Sequence, residues 1–110
     1  MHNIKIKSCA HITGGGLIDN LERILPPSCK AVIKKDAWEW KPIFKLIQKL
    51  GNVSEEEMYR VFNCGIGFVV IVNEEMVEEI LNILNALGEK GYIIGRVEEQ
   101  KTGEEKVVFI

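Results

Sequence analysis

The chain has 110 residues, 46% apolar and 27% charged, with a formal net charge of −2, the balance of one ordinary globular domain. Its basic residues form only small groups (Lys5 and Lys7, then Lys30, Lys34 and Lys35), so there is no concentrated footprint for a nucleic acid, which is excluded as a partner. No apolar run approaches the roughly 20 residues of a membrane span, Met1-His2-Asn3-Ile4-Lys5 lacks the apolar centre of a signal peptide, and Cys9, Cys29 and Cys64 give neither a disulfide framework nor a zinc motif.

The expected compartment is therefore cytoplasmic, with no membrane partner. Residues 3–12 alternate. Ile4, Ile6, Ala10 and Ile12 fall on one face, and Lys5, Lys7, Cys9 and His11 on the other. Period two predicts a strand with one buried side, and places His11 at its carboxyl end on the polar side. Thr13-Gly14-Gly15-Gly16 comes next. Three consecutive glycines leave backbone N–H groups uncovered, and an anion can approach them closely. A helix starting there aims its unpaired amides and positive dipole end at the same spot. The same residues equally serve a tight strand-to-helix turn with no ligand. Leu17, Ile18, Leu21, Ile24 and Leu25 then recur at helical spacing, with Asp19, Asn20, Glu22 and Arg23 assigned to the opposite face. Pro26-Pro27 stops this helix.

Residues 29–33 read as a short apolar strand. Trp38 and Trp40 follow in a connection, where they either cover a core edge or stack on a base. Pro42 suits a first helical position, Ile43, Phe44, Leu46, Ile47 and Leu50 define the helix, and Gly51 can end it. Ser54 with Glu57 makes a capping box before a short helix that carries Met58, Val61 and Phe62 on one face. Asn63-Cys64-Gly65-Ile66-Gly67 is the second glycine-bearing turn. It opens residues 68–72, the most apolar strand, expected to be buried on both faces. Asn73 is placed as the cap of the longest helix, striped by Val77, Ile80, Leu81, Leu84 and Leu87 and closed by Gly91. Residues 92–98 and 106–110 read as two strands around a polar turn.

The order β-α-β-α-α-β-α-β-β predicts an α+β fold with a mixed, largely antiparallel sheet covered by helices, in a single domain over residues 1–110. Four helices, two of them short, leave part of such a sheet uncovered. The chemistry is sparse. No Ser/His/Asp set can be argued from spacing, and no Gly-Lys-Ser/Thr follows a glycine loop. What remains is His11, Thr13, Gly14, Gly15 and Gly16: an imidazole, a hydroxyl and several backbone donors within six residues. Such a group can hold a phosphate or stabilise charge on a reacting oxygen.

Residues 11–17 (His-Ile-Thr-Gly-Gly-Gly-Leu), then Asn20-Leu21, Arg23 and Leu25-Pro26, resemble a family signature. The likeness continues through Trp38 and Pro42-Ile43-Phe44, residues 57–68, Gly88-Glu89 and residues 94–97. It is to the carboxy-terminal domain of aminoimidazole ribonucleotide synthetase, also called phosphoribosylformylglycinamidine cyclo-ligase. Cys64 and Phe68 depart mildly from it, standing where the family favours a methionine-like residue. The resemblance implies a step of purine biosynthesis, in which ATP, with magnesium, activates the amide oxygen of formylglycinamidine ribonucleotide. The amidine nitrogen then closes the imidazole ring. It also implies that His11, Thr13, Gly14, Gly15 and Gly16 face substrate or phosphate, with His11 as a hydrogen-bond donor or polarising group, and that Asn63 and Gly65 border the same cleft. No metal ligand is implied here. The family's ATP and magnesium are held mainly by an amino-terminal domain, so these residues correspond to the closing portion of the enzyme. Inactivity alone, and pairing with that domain or self-association, are the expectations. Two other readings remain: a free-standing regulatory domain for a small metabolite, and a structural fragment with no ligand.

Overall fold

The computed structural model describes residues 6–110. Strand β1 (Ile6–His11), helix α1 (Gly16–Ile24), strand β2 (Cys29–Ile33), helices α2 (Pro42–Gly51) and α3 (Glu55–Val61), strand β3 (Phe68–Val72), helix α4 (Val77–Ala86) and strands β4 (Gly95–Glu99) and β5 (Val107–Phe109) follow in that order. This is the expected α+β succession. Two short 3₁₀ turns, Lys35–Ala37 and Glu74–Met76, are added to it.

The strands do not join one sheet. β1 pairs antiparallel with β3 in a two-stranded ribbon. In the second sheet β2 is central, antiparallel to β4 and parallel to β5. Pairing is thus mixed and largely antiparallel, as expected, but divided. The two sheets are held by a common core in which Ile12, Leu17, Leu21, Ile33, Met58 and Tyr59 are buried. Tyr59 is its aromatic centre. Its ring stacks on Phe109 at 4.2 Å and meets the edges of Trp38 and Trp40 at 6.3 and 5.5 Å. Trp38 is buried and Trp40 packs partly against the core, so both cover a core edge.

Local chemistry explains the element ends. Leu25, next to Pro26, is already extended, because a residue before proline is pushed out of the helical region. The Ser54 hydroxyl accepts from the Glu57 N–H at 3.2 Å, as a cap should.

Several expectations fail for packing reasons. Lys7 is an extra residue in the β1–β3 register, which pairs Ile6 with Val72 and Ser8 with Ile71. A bulge of this kind breaks the period of two, so Ile6 is exposed while Ala10 and Ile12 are buried. Ile4 lies outside the described residues. β3 is not buried on both faces: Phe68 is 59% exposed and the rest of the strand is half-buried. On α3 the inward residues are Met58 and Tyr59, and Val61 is exposed. Asn52, rather than Gly51, takes the left-handed position after α2, with φ 51°. Asn73 precedes a 3₁₀ turn and makes no side-chain cap. α4 buries none of its residues. It ends at Ala86, followed by Gly88 at φ 81°, well before Gly91. β4 begins at Gly95, so Tyr92 and Ile93 are exposed coil. With extents of 47 × 39 × 21 Å the molecule is thin, and the apolar stripe of α4 is only half-buried among the described residues, with Leu81 and Leu84 close to Gly91.

Candidate functional site

The two glycine-bearing turns lie side by side. The Ile12 N–H donates to the Gly67 carbonyl at 2.8 Å, which extends the β1–β3 pairing just past His11 and Phe68. Gly16 closes the approach from the other side. A Cβ built on it would lie 2.2 Å from the Tyr59 carbonyl oxygen and 2.6 Å from that of Phe62. The first turn therefore rests on the end of α3, directly before Asn63.

Each glycine of the first turn has its own reason, or none. Gly15 and Gly16 have φ of 97° and 61°, a region that strains any side chain. Gly16 also needs the close backbone approach just described. Gly14 has neither constraint. Its φ is not positive, and a built Cβ meets nothing within 4 Å. The fold does not require a glycine there, yet its absent side chain keeps the turn open.

The Gly16 N–H donates to Thr13 O at 3.0 Å. Among the described residues no acceptor takes the N–H of Gly14 or Gly15. His11, Thr13 and Gly14 are exposed and Gly15 is half-buried. The His11 ring lies 6.5 Å from that of Phe68, centroid to centroid. A carboxylate, Asp19, also borders Gly15. Arg60 pairs with it at 3.3 Å and compensates its charge.

Asn63 turns its side chain to its own loop: Oδ1 accepts from the Gly65 N–H at 2.8 Å, and its carbonyl accepts from the Ile66 N–H at 3.0 Å. Cys64, at φ 52°, is buried between them. Its carbonyl accepts from Trp38 Nε1 at 3.0 Å. Burial pushes its thiol up to about 11, so it stays protonated and unreactive at neutral pH.

Asn20 departs most from expectation. Its polarity points to the outer face of α1, but it is 5% exposed and hydrogen-bonded to the first turn. The signal was present in the spacing, since position 20 shares a helix face with Leu17, Leu21 and Ile24.

Two open clefts lie away from the turns. One, of about 430 Å³, is lined by Ile18, Tyr59, Arg60 and Phe109 among others, and another, of about 370 Å³, by Trp40, Lys45 and Tyr92 among others. Among the described residues no group of three or more His, Cys, Asp or Glu comes together to hold a metal ion. These residues therefore offer no all-protein cage for magnesium. No helix among them is long and apolar enough to cross a membrane.

The chain is similar to two curated proteins named phosphoribosylformylglycinamidine cyclo-ligase. The one from Citrifermentans bemidjiense is 49% identical over 110 residues, all of this chain. The one from Geotalea daltonii is likewise 49% identical over 110 residues. The chain spans 32% of each, about a third of their length. A family model described as "AIR synthase related protein, C-terminal domain" matches residues 1–108, and with the match running over nearly its whole length the chain belongs to that family.

Proposed function

We propose that the chain acts as the carboxy-terminal part of a phosphoribosylformylglycinamidine cyclo-ligase, and that residues 13–16 hold a phosphate of the substrate or the transferring phosphoryl group. The likeness to two proteins named phosphoribosylformylglycinamidine cyclo-ligase supports the enzyme. The observation that carries the site is Gly14. Neither backbone angle nor packing asks for glycine there, whereas an anion approaching two uncovered N–H groups does.

In this reaction ATP activates the amide oxygen of formylglycinamidine ribonucleotide, the amidine nitrogen attacks the activated carbon, and ADP and phosphate are released. The residues here supply binding and orientation. The N–H groups of Gly14 and Gly15 take anionic oxygens, and the Thr13 hydroxyl adds a donor. His11 donates a hydrogen bond to the substrate or polarises the amide oxygen. Asn63 and Gly65 form the far rim.

ATP and magnesium come to this half-site on the part of the enzyme that the relatives carry outside the matched third. That part, or a second copy of the chain, also covers Phe68 and the half-exposed apolar face of α4. The working compartment is the cytoplasm.

Titration of the 110-residue chain with formylglycinamidine ribonucleotide tests the reading. Saturable binding centred on the first turn, without ATP-dependent turnover, is expected. Turnover by the chain alone overturns the half-site. Sedimentation tests the uncovered surface, and a monomer that neither self-associates nor binds the amino-terminal part of a relative overturns that role.

A further inference from the structure

We infer that Asn20 is the positioning residue of the first turn: its carboxamide holds the Thr13 and Gly14 carbonyls inward, so that the N–H groups of Gly14 and Gly15 point together at an anionic oxygen. The inference deepens the phosphate-holding role proposed above and rests on it.

Asn20 Nδ2 donates to Gly16 O at 2.8 Å, to Thr13 O at 3.2 Å and to Gly14 O at 3.4 Å. Its Oδ1 accepts from the Thr13 hydroxyl at 3.4 Å. One amide group with two protons thus serves three carbonyls. A trans peptide is planar, and its C=O and N–H point in opposite directions. Holding the Thr13 carbonyl inward turns the Gly14 N–H outward. Holding the Gly14 carbonyl inward does the same for the Gly15 N–H. These are the two amides of the turn for which no described residue offers an acceptor. With Gly15 left-handed at φ 97°, successive N–H groups on one side make a concave anion receptor.

The residue type fits this task and not helix packing. Position 20 faces the core, and among the described residues Asn20 is the one polar side chain that is fully buried there. Leucine would suit the apolar face and the helix better. It would also remove the side-chain donor from the Gly14 carbonyl and leave the Thr13 carbonyl held by the Gly16 N–H alone, which loosens the direction of the N–H groups behind them. Aspartate has the shape but no donor, and would set its carboxylate against three carbonyl oxygens.

The test uses the ¹⁵N-labelled chain with inorganic phosphate and, separately, formylglycinamidine ribonucleotide. In the unmodified chain the amides of Gly14 and Gly15 shift saturably. The side-chain amide resonances of Asn20 move with the same midpoint, because an anion at each N–H polarises the carbonyl behind it. Asn20→Leu and Asn20→Ser, with helical circular dichroism retained, weaken binding of either probe tenfold or more. If Gly14 and Gly15 do not respond in the unmodified chain, the phosphate reading and this inference both fall. If they respond and a folded Asn20 variant binds within twofold of the unmodified chain, the inference alone falls. If the variants do not fold, the Asn20 side-chain signal decides: movement in step with Gly14 and Gly15 supports the role, and a stationary signal overturns it.

Discussion

Replacing Gly14 and Gly16 in turn by alanine separates what the fold needs from what a ligand needs. At Gly16, alanine must adopt φ 61° and place its Cβ 2.2 Å from one backbone oxygen and 2.6 Å from another. The left-handed angle costs about 1–2 kcal/mol. The clash is with main chain, so no rotamer relieves it, and the displacement of α3 adds about 1–3 kcal/mol. The expected loss is about 2–5 kcal/mol, a large part of a domain stability of about 5–15 kcal/mol. At Gly14 the same methyl group meets nothing within 4 Å at an ordinary angle, and the expected change is within about 0.5 kcal/mol. Urea denaturation followed by circular dichroism measures both. Gly14→Ala should instead weaken phosphate binding, because its methyl group sits where an anion would approach. A Gly16→Ala loss below about 1 kcal/mol would refute the packing argument. Unchanged phosphate affinity in a folded Gly14→Ala chain would refute the claim that this glycine is kept for a ligand.

Alkaline pH should destabilise the fold. Burial pushes the Cys64 thiol up to about 11 and raises Tyr59 against a lowering hydrogen bond from Trp40. The folded state keeps protons that the unfolded chain releases, so the Cys64 contribution is complete below about pH 9 and is lost as pH rises through about 11, and that of Tyr59 is likewise lost toward alkaline pH. The Cys64 contribution amounts to as much as about 2–3 kcal/mol, and denaturation midpoints that stay flat from pH 8 to 10.5 would contradict it. The exposed Cys9 should be alkylated by iodoacetamide in the native protein while the buried Cys64 is modified only on unfolding. Peptide mass mapping distinguishes them, and equal native labelling would be the contrary result. Trp38→Phe removes the donor to the buried Cys64 carbonyl and should cost about 1–3 kcal/mol. A loss under about 0.5 kcal/mol in the same urea assay would mean that water or another donor replaces the indole.

The residues of both turns were legible because their reasons are local. Glycine runs, the Pro26-Pro27 stop and the Ser54 cap act over four or five residues, within reach of a linear reading. Asn20 was misread because its partners are not apolar. Its direction depends on where the carbonyls of residues 13, 14 and 16 end up once the turn has formed. A pattern of apolar and polar letters carries no information about that.

The sequence by itself determined the order of elements, the α+β class and the family, since period, breakers and motif wording are properties of the chain. Tertiary structure alone decided that β1 and β3 stand apart from the β4-β2-β5 sheet, that Lys7 bulges, and that α4 and β3 are left only half-buried. The physical reason is that hydrophobic periodicity marks which face wants to be covered, while the cover must come from another element. Where these residues offer only part of a cover, the apolar face stays half-exposed. The second turn was likewise readable as residues, but its place beside the first was set by the Gly16 contact with α3 and the Ile12–Gly67 hydrogen bond.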